Sequence, residues 1–288
     1  MTSPTPWREE VALVPFSMGQ RLRCVTEPTL VPVRGTVLLL PPFAEEMNKS
    51  RRMCALLSRA LAVDGWRVVR IDLYGCGDSA GELRDATWQR WVDDLQLEVR
   101  RSKSESIGAL WLWCIRAGAL FVPALLEVSP AAHLLMWQPV VSGSQHLRQF
   151  LRLHMASSLL GADRSSLSQT SPAQQLAAGR TVEVGGYELP AAVADGLQAS
   201  DLRLSSEASG RIVWFEVSPD VVPSCSPATQ SAVDAICAEG HDVQLEFVHG
   251  APFWQTTDIV ENSALIDCSR DLMRADARPA AGTVRSAH

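Results

Sequence analysis

The stretch Ile107-Gly108-Ala109-Leu110-Trp111-Leu112-Trp113-Cys114-Ile115-Arg116-Ala117-Gly118-Ala119-Leu120 decides how this chain is read. An apolar run ends in Trp113-Cys114, turns through Ile115-Arg116-Ala117-Gly118, and enters a helix-forming segment that reaches residue 127. A short run of this kind, apolar throughout, fits a strand buried on both faces. Gly118 suits the close approach of strand and helix that a tight turn demands. The pattern is strand, turn, helix, with Arg116 at the apex. An arginine there stays protonated and has no free lone pair, so it cannot attack a carbonyl.

The same alternation extends in both directions. Residues 9–15 and 20–24 read as two strands around Ser17-Met18-Gly19, an antiparallel start. Strands follow at 36–40, 66–71, 133–137, 212–217 and 243–248, alternating with helices at 47–64, 85–101, 119–127, 228–239 and 256–273. Trp88, Trp91, Leu95 and Val99 recur at helical spacing, which reads as a core face. Residues 142–160 read as a helix with Leu147, Phe150, Leu151 and Met155 on one side; residues 161–179 carry no strong period; a turn and short helix are expected at 185–197. The expected architecture is α/β: a mostly parallel, doubly wound sheet with an antiparallel start. It is a single domain over 1–274 with a small helical lid inserted at about 141–204, and 275–288 is a disordered tail.

Composition narrows the partners. Twenty-six Lys and Arg against 32 Asp and Glu give a net charge of −6, with no basic tract, which argues against nucleic acid. No apolar run reaches membrane-spanning length, and residues 1–7 lack a signal-peptide pattern. The seven cysteines form no CxxC pair and the six histidines show no metal spacing. A reduced, cytoplasmic protein with no metal and no cofactor is expected.

The turn at 114–118 resembles the nucleophile elbow of the α/β-hydrolases, G-x-S-x-G, with Cys114 at the first Gly, Arg116 at the nucleophile and Gly118 at the last Gly. A more specific likeness lies in Pro41-Pro42-Phe43-Ala44-Glu45-Glu46-Met47-Asn48-Lys49-Ser50-Arg51-Arg52-Met53. This run resembles the signature of exosortase A system-associated hydrolase 2, an α/β-hydrolase-like family found beside exopolysaccharide and protein-sorting loci in Gram-negative bacteria. Residues 72–83, residues 114–120, Pro252-Phe253-Trp254 and Gly186-Tyr187-Glu188-Leu189 are also similar, so the resemblance spans roughly residues 9 to 270. It implies the α/β-hydrolase fold and an elbow that carries Arg, and it implies no particular substrate.

The candidate site follows from these motifs. The loop after residue 40 stands where hydrolases of this kind place an oxyanion loop, so the backbone of Phe43 and Ala117 is expected to supply oxyanion-type donors. Glu45, Glu46, Asn48, Lys49 and Arg51 crowd the end of a parallel strand, where ligands bind in such sheets. Asp220 occupies the slot of the acid, and His249 lies nearest the slot of the histidine, with Phe253 and Trp254 just beyond. Cys114, Phe253 and Trp254 are expected on the pocket wall with Glu46, Asn48 and Lys49. A lone guanidinium above the sheet requires an acid, so Arg116 is expected to pair with Glu45 before Glu46, and Asp220 is in reserve.

Three functions fit. One is a hydrolase or acyl-transfer enzyme in which His249, Asp220 and Glu45 or Glu46 activate water. Another is a non-catalytic binder whose Arg116 holds the carboxylate or phosphate of a small molecule. The third is an interaction protein of the polysaccharide machinery. Substrate and oligomeric state are left open by the sequence.

Overall fold

The structure, a computed structural model, describes residues 4–105, 108–160, 171–220 and 225–275. Much of the aperiodic 161–179 segment and nearly all of the expected tail at 275–288 lie outside those residues.

The chain opens with β1 (Trp7–Pro15) and β2 (Gln20–Pro28), paired antiparallel from Trp7 opposite Pro28 to Pro15 opposite Gln20. Then come β3 (Gly35–Leu40), α1 (Glu45–Val63), β4 (Trp66–Ile71), α2 (Trp88–Glu105) and β5 (Ala109–Ile115). A 3-10 turn, Arg116–Phe121, leads into α3 (Val122–Val128) and β6 (His133–Trp137). Between β6 and β9 (Ile212–Ser218) lie α4 (Gly143–Leu160), α5 (Pro172–Ala177), β7 (Val182–Val184), β8 (Tyr187–Leu189) and α6 (Ala191–Ala199). The chain closes with α7 (Pro227–Ala238), β10 (Val243–His249) and α8 (Ser263–Ala275). The main sheet has eight strands in the order β1-β2-β4-β3-β5-β6-β9-β10, antiparallel up to β4 and parallel beyond it.

β5 is buried along nearly its whole length because both faces of the sheet are covered, as its unbroken apolar sequence requires. Leu110, Leu112 and Cys114 enter the core shared with α2 and α3. Trp111 and Trp113 enter the opposite core with Met53, Leu57 and Leu61 of α1 and Leu265 of α8. The antiparallel hairpin is tied down by Arg21, which is fully buried and bonds Asp94 of α2 at 2.7 Å.

Several boundaries differ from the sequence reading for local reasons. α2 begins at Trp88 rather than 85, because Thr87 Oγ1 accepts the Arg90 N–H at 3.1 Å and caps the helix there. α8 begins at Ser263 rather than 256, because Asn262 Oδ1 accepts the Leu265 N–H at 3.0 Å. The segment after β6 is not purely helical: Gly185 and Gly186, both at positive φ, turn β7 back onto β8 in a small separate hairpin.

The packing that fixes the site is the approach of the turn after β5 to the end of β3. A Cβ on Gly118 would collide with the backbone oxygen of Leu40. Gly118→Ala therefore forces either strand end to shift, and chemical denaturation should show a loss of about 1–3 kcal/mol, the usual cost of overpacking. An unchanged midpoint would mean that the turn and β3 do not meet closely.

Candidate functional site

Arg116 is the first residue past β5 and sits at φ 51. That left-handed conformation costs a non-glycine residue roughly 1–3 kcal/mol and persists only where the surroundings dictate it. Ala44 at φ 50 and Gln138 at φ 44 share it, after β3 and β6 respectively. All three lie at the carboxyl ends of neighbouring parallel strands, the edge of the sheet where ligands bind.

The Arg116 side chain is held on three sides. Its Nε donates to Glu46 Oε1 at 3.0 Å, its Nη1 donates to the Gln138 backbone oxygen at 3.1 Å, and its Cζ lies 5.2 Å from the centre of the Trp254 ring. Among the described residues its Nη2 donates to nothing. Gln138 is itself fixed: its Nε2 donates to Glu216 Oε2 at 2.9 Å and its Oε1 accepts the Val217 N–H at 2.7 Å. The second oxygen of Glu216 accepts the Trp214 indole N–H at 2.7 Å. A polar chain thus runs from α1 through the turn after β5 to β6 and β9.

Glu46 stands in the first turn of α1, only 19% exposed at its side chain, against 16% for Arg116. Burial pushes its carboxyl above the ordinary glutamate range, and the Arg116 charge pulls the other way without cancelling the effect. Its Oε2 is buried and has no partner. The expected pairing with Glu45 does not form. Glu45, one position earlier on the helix, is exposed, accepting the Tyr187 hydroxyl at 3.0 Å and lying 3.7 Å from Lys49 Nζ. Asn48 Nδ2 donates to the same Tyr187 hydroxyl at 2.6 Å, which places β8 over α1. Burial, with Glu45 second, raises the Tyr187 phenol to about 12.

Two cavities meet at this hairpin. One, of about 330 Å³, is lined by Arg116, Glu45, Glu46, His146, Phe43, Phe150, Tyr187 and Trp254. The other, of about 390 Å³, is lined by Phe43, Ala117, Asn48, Trp88, Trp91 and Tyr187 among others. The pair expected to carry oxyanion-type donors, Phe43 and Ala117, both border the second cavity. Trp88 and Trp91 also border it while packing in the core, so the helical spacing concealed a second role.

Other expected residues are placed elsewhere. Cys114 is fully buried below the turn, its thiol kept protonated by burial, and it lines neither cavity. Phe253 is fully buried in the core beneath β6, edge-on to Trp137, while its neighbour Trp254 faces the cavity. Lys49 Nζ turns to the Thr257 backbone oxygen at 2.7 Å and lines neither cavity. Asp220 lies just past the end of β9 and His249 is the last residue of β10, and both are exposed. Asp220 closes a turn on Ser218, and His249 Nδ1 lies 3.4 Å from the Asp220 backbone oxygen rather than its carboxylate. Neither borders either cavity, and Asp220 makes no contact with Arg116. The histidine that does border the first cavity is His146 of α4, which the sequence reading did not single out. It comes from the inserted segment, where no motif marked it. Among the described residues no group of three His, Cys, Asp or Glu is arranged to hold a metal, and no helix is long and apolar enough to cross a membrane.

No protein-family model matches the chain, and no curated protein is similar to it in sequence. Solved structures are similar to it over nearly its whole length. Est1E from Butyrivibrio proteoclasticus, solved with ferulic acid, is 12% identical with a TM-score of 0.59 over 92% of this chain and 99% of that one. A soluble variant of the monoglyceride lipase of Saccharomyces cerevisiae, solved with a substrate analogue, is 13% identical with a TM-score of 0.60 over 95% and 97%. A thermostable carboxyl esterase of Bacillus coagulans, solved with glycerol, is 10% identical with a TM-score of 0.60 over 95% and 98%. The fold is the α/β-hydrolase fold, with Arg116 at positive φ in the turn that follows β5.

The Arg116–Glu46 pair gives a stability test whose sign follows from the carboxyl's raised titration. A carboxyl that binds its proton more tightly folded than unfolded contributes stability that is fully present below its unfolded value, about 4.3, and lost as pH rises through the folded value. Wild type should therefore gain stability relative to Glu46→Gln as pH falls toward 4. Arg116→Ala should cost about 3 kcal/mol at pH 8, where the orphaned Glu46 must ionise or capture a proton, and less at pH 5. Urea denaturation of the three proteins at both pH values checks this. A pH-independent gap between wild type and Glu46→Gln would show that Glu46 is solvated.

Proposed function

We propose that the protein binds a small organic acid in the position where hydrolases of its fold act on their substrates, and that Arg116 grips the acid's oxyanion. The observation that carries this reading is Arg116 itself. It is fixed at the elbow apex at φ 51, oriented by Glu46 and Gln138, and presents an uncommitted Nη2 on the wall of the first cavity. A guanidinium offers planar, paired donors suited to carboxylate, sulfate or phosphate groups, and a partly desolvated one binds them more strongly than one in water. Phe43, Phe150, Val184 and Trp254 give the acid's body an apolar wall. Covalent acyl transfer of the serine-hydrolase kind has no nucleophile at the apex.

A second reading retains hydrolysis. His146 is on the same cavity wall and burial keeps it unprotonated at neutral pH, so it is able to accept a proton from water, with Arg116 facing the charge that develops. The resemblance to exosortase A system-associated hydrolases supports this reading and would place the ligand among acids handled beside exopolysaccharide or sorting machinery. The seven free cysteines fit a reducing compartment, and we place the protein in the cytoplasm.

Thermal-shift measurements with a panel of aryl and alkyl carboxylates, phosphates and sulfates separate the readings. A ligand at a hundred times its Kd stabilises by about 2.7 kcal/mol. Wild type should respond to members of the panel and Arg116→Gln should not. A fluorophosphonate probe should label no serine stoichiometrically. One serine labelled to completion would overturn the proposal, and turnover of a bound ester would favour the second reading.

A further inference from the structure

His146 is an unusual buried group. It lies in the first turn of α4, its backbone N–H donating to the Ser142 oxygen at 3.0 Å, and it is 7% exposed. Its imidazole makes no hydrogen bond among the described residues. The ring borders the 330 Å³ cavity and also a smaller one of about 190 Å³, the two cavities sharing Arg116, His146 and Gln149. Arg116 and His146 therefore border the same two cavities.

The charges around that space are few. Arg116 comes from the turn after β5, Glu45 and Glu46 from α1, and Tyr187 from β8. The smaller cavity contributes Ser142, Gln145, Gln149, Ser226 and Thr229, none of them charged. Burial first, and the Arg116 charge second, hold the imidazole unprotonated, down to about 4. An oxyanion seated between Arg116 and His146 reverses both effects: it screens the guanidinium and accepts a hydrogen bond from an imidazolium.

We propose that His146 is the second contact of the oxyanion held by Arg116 and takes up one proton from solvent as the acid binds. This rests on the anion grip proposed above and adds the chemistry of selection. The preferred ligand is an acid that stays ionised at mildly acidic pH and has an apolar body, and its affinity rises as pH falls. Glu46 is the competing proton acceptor, since its protonation would release Arg116 to the ligand.

The test uses the full chain with phenyl sulfate and inorganic sulfate, whose charge is constant between about pH 5 and pH 8, where histidine titrates. Calorimetry in two buffers of different ionisation enthalpy should show proton uptake on binding. The association constant should rise about fivefold from pH 8 to pH 6, as linkage to one group moving into that range requires. The His146 ring resonance should titrate near 4 without sulfate and well above it with sulfate. His146→Gln should bind more weakly and show no rise. A rise that persists in His146→Gln assigns the proton to Glu46 and overturns the proposal. So does wild-type binding with no pH dependence, a failure that leaves the Arg116 grip standing. No binding of either sulfate by wild type at any pH removes the grip and this proposal together. If His146→Gln does not fold, the ring titration in wild type decides alone.

Discussion

A left-handed backbone at Arg116 is the constraint from which the upper edge of this sheet is built. β5 is buried on both sides, so its chain must leave the sheet abruptly, and Gly118 must pass against the oxygen of Leu40. The apex between those two requirements projects its side chain over the strand ends. With serine there, the geometry exposes a nucleophile. With arginine, it lifts a guanidinium into a partly dry space, where a charge without partners is costly. The contacts to Glu46, Gln138 and Trp254 answer that cost, and they join α1, β6 and the loop after β10 around one group.

The way these contacts are made separates a ligand site from a structural ion pair. Arg21 and Asp94, deep under the hairpin, make two hydrogen bonds to each other, and Arg21 also donates to the Met18 oxygen. Around Arg116 the satisfaction is incomplete. One carboxylate oxygen of Glu46 is buried without a partner, and the Arg116 and His146 side chains border the same cavity with polar atoms left free of protein partners among the described residues. Burial pushes Glu46 toward its neutral form and His146 away from its charged form, which weakens the competition for the guanidinium. An arriving anion meets donors that are already aimed, which is the economy of preorganisation.

The frame was legible in the sequence because its causes are local. Unbroken apolar runs mark strands covered on both faces, and helical periods mark the layers that cover them. The strand–turn–Gly118 pattern marked the tight turn after β5 that Gly118 packs against Leu40. The site was legible only in outline. Glu45 and Glu46 are adjacent, but successive residues on a helix point about 100° apart, so the register of α1 decides which faces the elbow. In the turn after β10, adjacent Phe253 and Trp254 also part, Phe253 into the core and Trp254 onto the cavity wall. Asp220 and His249 come in the expected order at the ends of their strands, yet order does not fix side-chain direction, and both are exposed. His146 and Tyr187 come from the segment between β6 and β9, whose docking over the sheet no periodicity encodes.

The central claim is that the elbow residue is an anion grip rather than a displaced nucleophile or a packing element. A crystal structure grown with phenyl sulfate tests it most directly. The account predicts sulfate oxygens within hydrogen-bond distance of Arg116 Nη2 and the His146 ring, with the phenyl group against Phe150 and Trp254. Arg116 swung out to solvent away from Glu46, or sulfate bound elsewhere with the elbow vacant, would contradict it.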